Sequence, residues 1–325
     1  MRWLVTGGLG FIGSHFIRLA LRERPRLEIV NLDAMTYAGN PANLRDVEGD
    51  SRYRFLRGDI CDAAAVREAL DGGVDAIVNF AAETHVDRSI AEPESFLRTD
   101  ALGSLVLLQA LREHRIPRFL QVSTDEVYGD VPHGESVESD PLRPRSPYAA
   151  SKAAADLLVL AYHATYGSPV VVTRGSNTYG PNQYPEKIVP LFVTNSIEDR
   201  PVPLYGDGLQ VRDWLHVDDH ARAILRVLEY GEMGSVYNVS SATPRTNLEL
   251  TRELLQRCGR SMERNVEHVT DRLGHDRRYA VNSAKLRALG WSPRISFEDG
   301  IAQTIDWYRN NEAWWRPLKA GVPSP

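Results

Sequence analysis

The sequence predicts an α/β fold with a doubly wound parallel sheet and a smaller C-terminal lobe. Three features of the first half indicate this fold: short apolar runs alternate with helical patterns, the runs lack strict polar alternation, and a glycine-rich turn follows the first run. Such runs are typical of strands covered on both faces, and right-handed crossovers then join them into one parallel sheet.

Seven apolar runs are predicted strands of this sheet. They cover residues 3–5, 29–32, 53–56, 76–80, 119–122, 170–173 and 236–239. The last run returns from the second half of the chain, so the domain boundary is expected to be discontinuous. We expect a first domain over residues 1–174, with parts of 212–240 returning to it, and a second lobe over 175–325.

The second half has a different pattern. Glycine- and proline-rich segments at 179–182 and 205–208 predict loops, and helical patterns cover 188–198, 218–230, 246–258 and 297–308. We expect this half to form a lid over the carboxyl edge of the sheet, where open parallel sheets bind their ligands.

The bulk composition excludes several function classes. A net charge of -5 and a pI near 6.0 argue against a general nucleic-acid or anionic-membrane surface. No apolar run is long enough to span a bilayer. Cys61 and Cys258 have no metal-ligand or redox spacing, so we expect buried thiols, no bound metal and a reducing cytoplasm.

The glycine-rich turn at 6–13 is expected to bind a dinucleotide. It follows a strand and opens a helix, so its glycines permit a tight turn and the helix amides can meet a pyrophosphate. Asp33 lies 20 residues beyond Gly13, where it can bind ribose hydroxyls and repel a 2′-phosphate. This Rossmann-type pattern favours NAD over NADP, the alternatives being a structural turn and a solvated Asp. The predicted NAD contacts are Gly7, Gly10, Phe11, Ile12, Gly13, Asp33, Asp59, Ile60, Ala81, Tyr148 and Lys152.

Tyr148 and Lys152 are predicted to lie one turn apart on one helix face. Ser146 suits the N-cap of that helix and Pro147 its first position. A free phenol has a pKa of about 10, and a nearby positive charge lowers a pKa by about 1–3 units. Lys152 and an oxidised nicotinamide are therefore expected to lower the pKa of Tyr148, making it a candidate base. The alternative is an ordinary helical pair.

Thr124, Asp125 and Glu126 follow the fifth strand. The Thr124 hydroxyl can bond a substrate alcohol, but neighbouring residues in a strand point to opposite faces. The chain must therefore leave the strand here if both carboxylates serve one substrate. Different surroundings would then keep Asp125 protonated as an acid and Glu126 ionised as a base. The alternative is a surface acidic turn, whereas two catalytic carboxylates would point to loss of water.

Further motifs carry a resemblance to a known family. They are DAMTYAGN at 33–40, AAETHVDRS at 81–89, PEK at 185–187, RDWLHVDD at 212–219 and GHDRRY at 274–279. With the motifs above, the chain resembles the nucleotide-sugar 4,6-dehydratases of the extended short-chain dehydrogenase/reductase family almost end to end.

The resemblance implies a lyase that removes water from a nucleotide-sugar, with dTDP-glucose favoured. Tyr148, helped by Thr124, takes the C4 hydroxyl proton while NAD takes the C4 hydride. Glu126 then removes the C5 proton, Asp125 protonates the departing C6 hydroxyl, and the hydride returns to C6. The product is a 4-keto-6-deoxy sugar. The implied substrate contacts are Thr84, Asn177, Glu186, Lys187, Tyr205, Arg212, Asn247, Arg272 and His275.

The chain departs from the family pattern in three places. Thr178 replaces the second of two asparagines, Ser240–Ser241 replaces a glycine pair, and Leu273 replaces a proline. We expect all three to touch the nucleotide side of the site and to affect nucleotide preference more than reaction type.

Competing functions remain open at this point. Another nucleotide-sugar 4,6-dehydratase or a 4-epimerase would share the turn and the Tyr148–Lys152 pair, and a non-catalytic dinucleotide sensor would share the turn alone. The family also implies a homodimer through paired helices, one of which bears Tyr148. The downstream pathway of the product is not encoded in these motifs.

Overall fold

The structure, a computed structural model, describes residues 1–320. Its strands are β1 (Arg2–Thr6), β2 (Glu28–Asp33), β3 (Tyr53–Arg57), β4 (Ala76–Asn79), β5 (Phe119–Thr124), β6 (Val170–Gly175), β7 (Asn177–Tyr179), β8 (Val202–Tyr205), β9 (Val211–His216), β10 (Val236–Val239), β11 (Pro244–Thr246) and β12 (Val266–Val269).

Helices connect these strands. The α-helices are α1 (Phe11–Glu23), α2 (Ala63–Ala69), α3 (Val86–Ala91), α4 (Pro93–Phe96), α5 (Ser104–Glu113), α6 (Pro147–Tyr166), α7 (Ile188–Ile197), α8 (Val217–Tyr230), α9 (Asn247–Arg257), α10 (Met262–Asn265), α11 (Ala284–Ala288), α12 (Phe297–Asn310) and α13 (Glu312–Lys319). Short 3-10 helices cover Pro41–Leu44 and Asp125–Tyr128, and a π-helix covers Leu97–Gly103.

The central sheet has seven parallel strands in the order β10-β6-β5-β4-β1-β2-β3. This confirms the predicted α/β fold, and the strand at 236–239 pairs with β6. Both faces are covered: Trp3 and Val5 pack in a core with α1 and α8, whereas Leu4 faces the core of α2, α5 and α6. The runs lack polar alternation because both faces are buried.

The strand order reverses at β1, which has β2 on one side and β4 on the other. In open parallel sheets the crevice beyond such a reversal is the usual ligand site. The glycine-rich turn follows β1, and Thr124 ends β5 two strands away. The fold therefore brings both predicted motifs to one edge.

The second lobe contains more strand than the sequence predicts. A three-stranded sheet, β11-β9-β7, and a two-stranded sheet, β12-β8, are built from segments for which no strand was predicted. Most of these strands have three or four residues, which is too short for an alternation pattern to appear. The four predicted helices are present within two residues of their expected ends.

The two cysteines and the helix lengths bear on expectations from the sequence. Cys61 and Cys258 are free and partly buried. Within residues 1–320, every helix is too short or too polar to cross a membrane.

Candidate active site

A cavity of about 790 Å³ lies at the carboxyl edge of the central sheet, between the sheet and the second lobe. Every residue that the sequence predicts to be catalytic, cofactor-binding or substrate-binding lines this one cavity. Segments more than 200 residues apart in sequence, such as Gly7 and Arg272, therefore meet at one site.

Backbone geometry shapes the wall at the glycine-rich turn. Gly7 has φ +66°, and a side chain there would place its Cβ 2.6 Å from the Ala81 amide nitrogen. A Cβ on Gly13 would lie 2.5 Å from the Gly7 carbonyl oxygen. Helix α1 then begins without a side-chain cap, so its first amides are available to an anion. The turn fits the pyrophosphate of a dinucleotide.

Asp33 lies beside this turn at the end of β2. Its Oδ2 accepts a hydrogen bond from the Leu9 amide at 2.9 Å, and its Oδ1 accepts one from the Met35 amide at 2.8 Å. Each carboxylate oxygen can accept a second bond. The carboxylate is thus fixed in direction and still able to bind ribose hydroxyls.

Tyr148 and Lys152 lie on the first turns of α6, which Ser146 caps by accepting a bond from the Ala149 amide at 3.1 Å. The Lys152 ammonium is buried and donates to the Val122 carbonyl at 2.9 Å. Burial, with smaller effects from the charges of Glu126 and Asp100, raises the pKa of Tyr148 above its usual value. The protein chain by itself therefore raises this pKa, and the expected lowering, which also needs the charge of an oxidised nicotinamide, stays a prediction.

Asp125 and Glu126 leave the strand as predicted. Strand β5 ends at Thr124, whose side chain accepts a bond from the Glu126 amide at 3.3 Å and caps a 3-10 turn. The turn closes at Gly129 with φ +75°, where a Cβ would lie 2.2 Å from the Arg143 carbonyl oxygen. This confirms that the two carboxylates are released from the alternation of the strand.

The two carboxyl groups have different electrostatic surroundings. Burial and the adjacent charge of Glu126 raise the pKa of Asp125 well above its usual value. Burial also raises the pKa of Glu126, but the charges of Arg212, Lys187 and Arg272 oppose that rise. Asp125 is therefore the more readily protonated member of the pair, and the nearby cationic side chains favour the ionised form of Glu126.

Cationic side chains from the second lobe form the opposite wall. The Arg212 guanidinium lies 4.1 Å from the Tyr279 ring centroid and donates to the Asp276 carbonyl at 2.9 Å. The Arg272 guanidinium lies 5.0 Å from the Tyr205 ring centroid. Lys187 donates to the Thr84 carbonyl at 2.6 Å. These charges suit a diphosphate.

The remaining predicted contacts lie along this wall. The His275 Nδ1 lies 2.6 Å from Asp271, and Asn247 begins helix α9, which Thr246 caps with a capping box. The Asn177 side-chain oxygen is buried and has no partner among the described residues. An acceptor left in this state suits a donor on a bound ligand.

Sequence reasoning missed a cluster around Glu186. The Tyr37 hydroxyl donates to Glu186 at 3.0 Å, and the Arg88 guanidinium lies 3.7 Å from both Glu186 and the Tyr37 ring centroid. Tyr37 and Arg88 belong to the 33–40 and 81–89 motifs, so the signal was present but was not assigned to side chains. The cluster joins the two lobes beside the cavity.

Asp100 is a second missed residue. It lies in the π-helix, is 1% exposed, and accepts bonds from the Ser151 hydroxyl at 2.6 Å and the Glu83 amide at 3.2 Å. Burial raises its pKa to about 6, although the charge of Lys152 opposes the rise. Asp100 therefore ties the helix of Tyr148 to the loop after β4.

Only one of the three departures from the family pattern lines the cavity. Thr178 does so and lies 2.8 Å from His220 Nδ1. Ser240 and Ser241 instead bond the Asp213 carboxylate at 2.7 and 2.8 Å, and Leu273 is 80% exposed. The expectation that all three touch the nucleotide side is thus wrong for Ser240, Ser241 and Leu273, whose side chains face other surroundings.

The chain is similar in sequence and fold to known proteins. A curated dTDP-glucose 4,6-dehydratase from Streptomyces niveus is 53% identical to the chain, over 98% of this chain and 96% of that protein. The crystal structure of the dTDP-glucose 4,6-dehydratase DesIV from Streptomyces venezuelae, with NAD bound, is 52% identical with a TM-score of 0.95. The match covers 98% of this chain and 100% of the DesIV chain.

More distant structures share the fold. A UDP-glucose 4-epimerase from Thermus thermophilus, in complex with NAD, is 33% identical with a TM-score of 0.88, over 96% of this chain and 100% of that one. The family described as GDP-mannose 4,6 dehydratase matches residues 4–304. The chain therefore belongs to this family of nucleotide-sugar dehydratases, within the extended short-chain dehydrogenases.

Proposed function

We propose that the chain is a dTDP-glucose 4,6-dehydratase, an NAD-dependent hydro-lyase that converts dTDP-glucose to dTDP-4-keto-6-deoxyglucose and water. The observation that carries this proposal is the presence of Asp125 and Glu126 in one cavity with Tyr148 and Lys152. The last two serve oxidation of an alcohol, whereas the carboxyl groups supply the acid and base that loss of water needs. The relatives at about half identity carry the same activity in their names.

The residues around the glycine-rich turn fit NAD. Gly7, Gly10 and Gly13 would give the pyrophosphate access to the start of α1, and Asp33 would bind the adenosine ribose. Asp59 and Ile60 line the same cavity and would flank the adenine, and Ala81 lies against the turn. When bound, NAD supplies the oxidant for C4 of the sugar and the reductant for C6.

Tyr148 and Thr124 act in the first step. Thr124 bonds the C4 oxygen and orients it, and the Tyr148 phenolate removes the C4 hydroxyl proton. The Thr124 hydrogen bond opposes the burial effect on the Tyr148 pKa, and the positive charge of an oxidised nicotinamide would oppose it further. Base strength thus depends on the cofactor state.

Glu126 and Asp125 act in the second step. The new C4 carbonyl acidifies the C5 hydrogen, which Glu126 removes as a base. Asp125, held protonated by burial, delivers its proton to the departing C6 hydroxyl. Burial thus favours the acid form of Asp125, and the charges of Arg212, Lys187 and Arg272 favour the base form of Glu126.

The second lobe, mainly residues 175–325, binds the nucleotide. Arg212, Arg272 and His275 face the diphosphate with Asn177 and Asn247, and Arg provides bidentate geometry for phosphate oxygens. Glu186, Lys187 and Tyr205 lie toward the base, and Thr84 lies at the sugar. Residues 1–174, with β10 added, hold NAD.

The assembly is a homodimer formed through the π-helix and α6. Leu97, Leu102 and Leu157 are 52%, 44% and 57% exposed on these helices, although such side chains are usually covered. Two copies of this face would bury them in a symmetric helix bundle. The free cysteines suit a cytoplasmic protein.

Product mass tests the function directly. The purified protein, given only dTDP-glucose, should form a product lighter than the substrate by one water, and deuterium at C4 should appear at C6 of the same molecule. An unchanged mass with inverted C4 would instead identify a 4-epimerase. Absence of any reaction in NAD-loaded protein would favour a dinucleotide sensor.

A further inference from the structure

The last described helix reaches the wall at the glycine-rich turn. Trp314 and Leu318 of α13 both line the cavity. The Trp314 indole Nε1 donates to the Asn43 side-chain oxygen at 3.0 Å, across 271 residues of sequence. Neither the family motifs nor the proposed chemistry uses this contact.

Asn43 also bonds the backbone of the glycine-rich turn. Its side chain is 1% exposed, and its Nδ2 donates to the Leu9 carbonyl at 2.8 Å. Asn182 of the second lobe also donates to the Asn43 oxygen, at 3.3 Å. One buried amide thus receives two bonds from the second lobe and gives one to the backbone of the turn. Leu9 in turn donates to Asp33.

The other side of the contact is firmly anchored. The Trp314 ring packs edge-on against Trp307, with ring centroids 4.9 Å apart, and against Tyr308 at 6.4 Å. The Tyr184 hydroxyl donates to the Leu318 carbonyl at 3.3 Å. Helix α13 therefore moves with the second lobe, and the Asn43–Trp314 contact connects that lobe to the turn.

We propose that Asn43 and Trp314 form a latch that holds the second lobe against the glycine-rich turn and slows the release of NAD. Asn43 is a positioning residue, because it acts on the backbone that faces the pyrophosphate. This inference rests on the proposed function, in which electrons removed from C4 must return to C6 of the same substrate. A cofactor that leaves between these events ends the cycle.

Trp315 provides a matched control. It lies on the same helix, is fully buried, and its indole Nε1 donates to the Tyr308 carbonyl at 2.8 Å within the second lobe. It does not line the cavity. Trp314→Phe and Trp315→Phe each remove one indole donor and shrink one ring, but only Trp314→Phe opens the latch.

Release of the cofactor is the measurement. Protein loaded with NADH is mixed with excess NAD, and the decay of bound-NADH fluorescence gives the dissociation rate without substrate. We expect Trp314→Phe to release NADH roughly tenfold faster, as loss of one buried hydrogen bond allows, and Trp315→Phe to stay within about twofold of the unmodified protein. Thermal unfolding of both variants separates this effect from general destabilisation.

A double-mutant cycle locates the effect. Asn43→Ala should also speed release, and the Asn43→Ala/Trp314→Phe double variant should release no faster than Asn43→Ala alone, since both changes break one connection. Equal release rates for the Trp314 and Trp315 variants, or additive effects in the cycle, would overturn the latch. If the unmodified protein retains NAD but fails to dehydrate dTDP-glucose, the proposed function fails independently.

Discussion

The two walls of the cavity are built in different ways. The turn wall, defined by Gly7, Gly13 and Asp33, is shaped by backbone: close glycine contacts, a free helix start and a carboxylate fixed by two amides. The cationic wall, defined by Lys187, Arg212 and Arg272, is shaped by side chains from separate segments of the second lobe.

This difference indicates how each wall responds to change. A backbone-built wall cannot adapt when an atom is added, because interiors are close-packed and backbone has few conformations. A wall of long charged side chains can rearrange, and the contribution of these charges to ligand binding depends on ionic strength. The reacting groups of the 124–126 segment lie where the walls meet.

The largest effect is expected from Glu126→Gln, at this meeting point. Loss of the base should reduce product formation by about 10²- to 10⁴-fold. The first oxidation does not use this carboxylate, so NADH should still appear when substrate is added. Stopped-flow absorbance with product mass analysis separates the two steps, and normal product formation would rule out Glu126 as the base.

Tyr148→Phe is the matched variant for that experiment. It removes one hydroxyl from the same cavity and should block the first oxidation, so NADH should not accumulate. Rapid NADH formation in Tyr148→Phe would contradict the role of Tyr148.

A smaller but still large effect is expected from Gly7→Ala in the turn wall. The new Cβ would lie within 2.6–2.8 Å of three backbone atoms of Phe80 and Ala81, at φ +66°. We expect NAD affinity to fall at least about a hundredfold, since the turn must shift. Gly49→Ala is the control, because its Cβ would meet nothing within 4 Å. Equal NAD titrations for the two variants would show that the wall is adaptable.

The walls also differ in how far sequence predicts them. The turn wall follows from local rules, because glycine spacing, the strand before it and the helix after it specify one geometry. The Ser146 cap and the release of Asp125 from its strand were predictable for the same reason. Most strands of the second lobe were missed because three or four residues carry no periodic signal.

The cationic wall depends on tertiary contacts that spacing does not encode. Arg212 and Arg272 are ordinary charges in sequence, and only the family resemblance selects them. Tyr37 and Asp100 act through partners more than 50 residues away, Glu186 and Ser151. The effect of burial on the pKa of Tyr148 was not predicted, because burial is a property of the packed site and a Tyr-Lys spacing cannot reveal it.

A moderate effect on stability is expected from Asp100→Asn, in the buried contact between helix α6 and the loop after β4. Burial raises the Asp100 pKa from 3.8 to about 6, so its ionised form destabilises the fold. The destabilisation is complete above about pH 6. It shrinks as the pH falls toward 3.8, the pKa of Asp100 in the unfolded chain, and is absent below that pH. The variant lacks this pH-dependent cost, so its stability advantage relative to the difference measured below about pH 4 should grow to about 3 kcal/mol near pH 8.

Urea unfolding at two pH values measures this difference. Near pH 5 the advantage of Asp100→Asn should fall to about half its value near pH 8. A difference that does not change with pH would mean that Asp100 titrates normally in the fold. Ser151 can still bond the Asn side chain, so both proteins are expected to fold.

The smallest effect is expected from Arg272→Gln in the cationic wall. Loss of one charged contact to a diphosphate should raise the KM for dTDP-glucose roughly tenfold and weaken its dependence on salt. NAD affinity should stay unchanged if the two walls act separately. Arg277→Gln is the control: it removes a half-exposed arginine that pairs with Asp207 and does not line the cavity. If Arg272→Gln weakens NAD binding as strongly as nucleotide-sugar binding, the two walls act as one unit. The proposed difference between the backbone-built turn wall and the cationic wall would then be wrong.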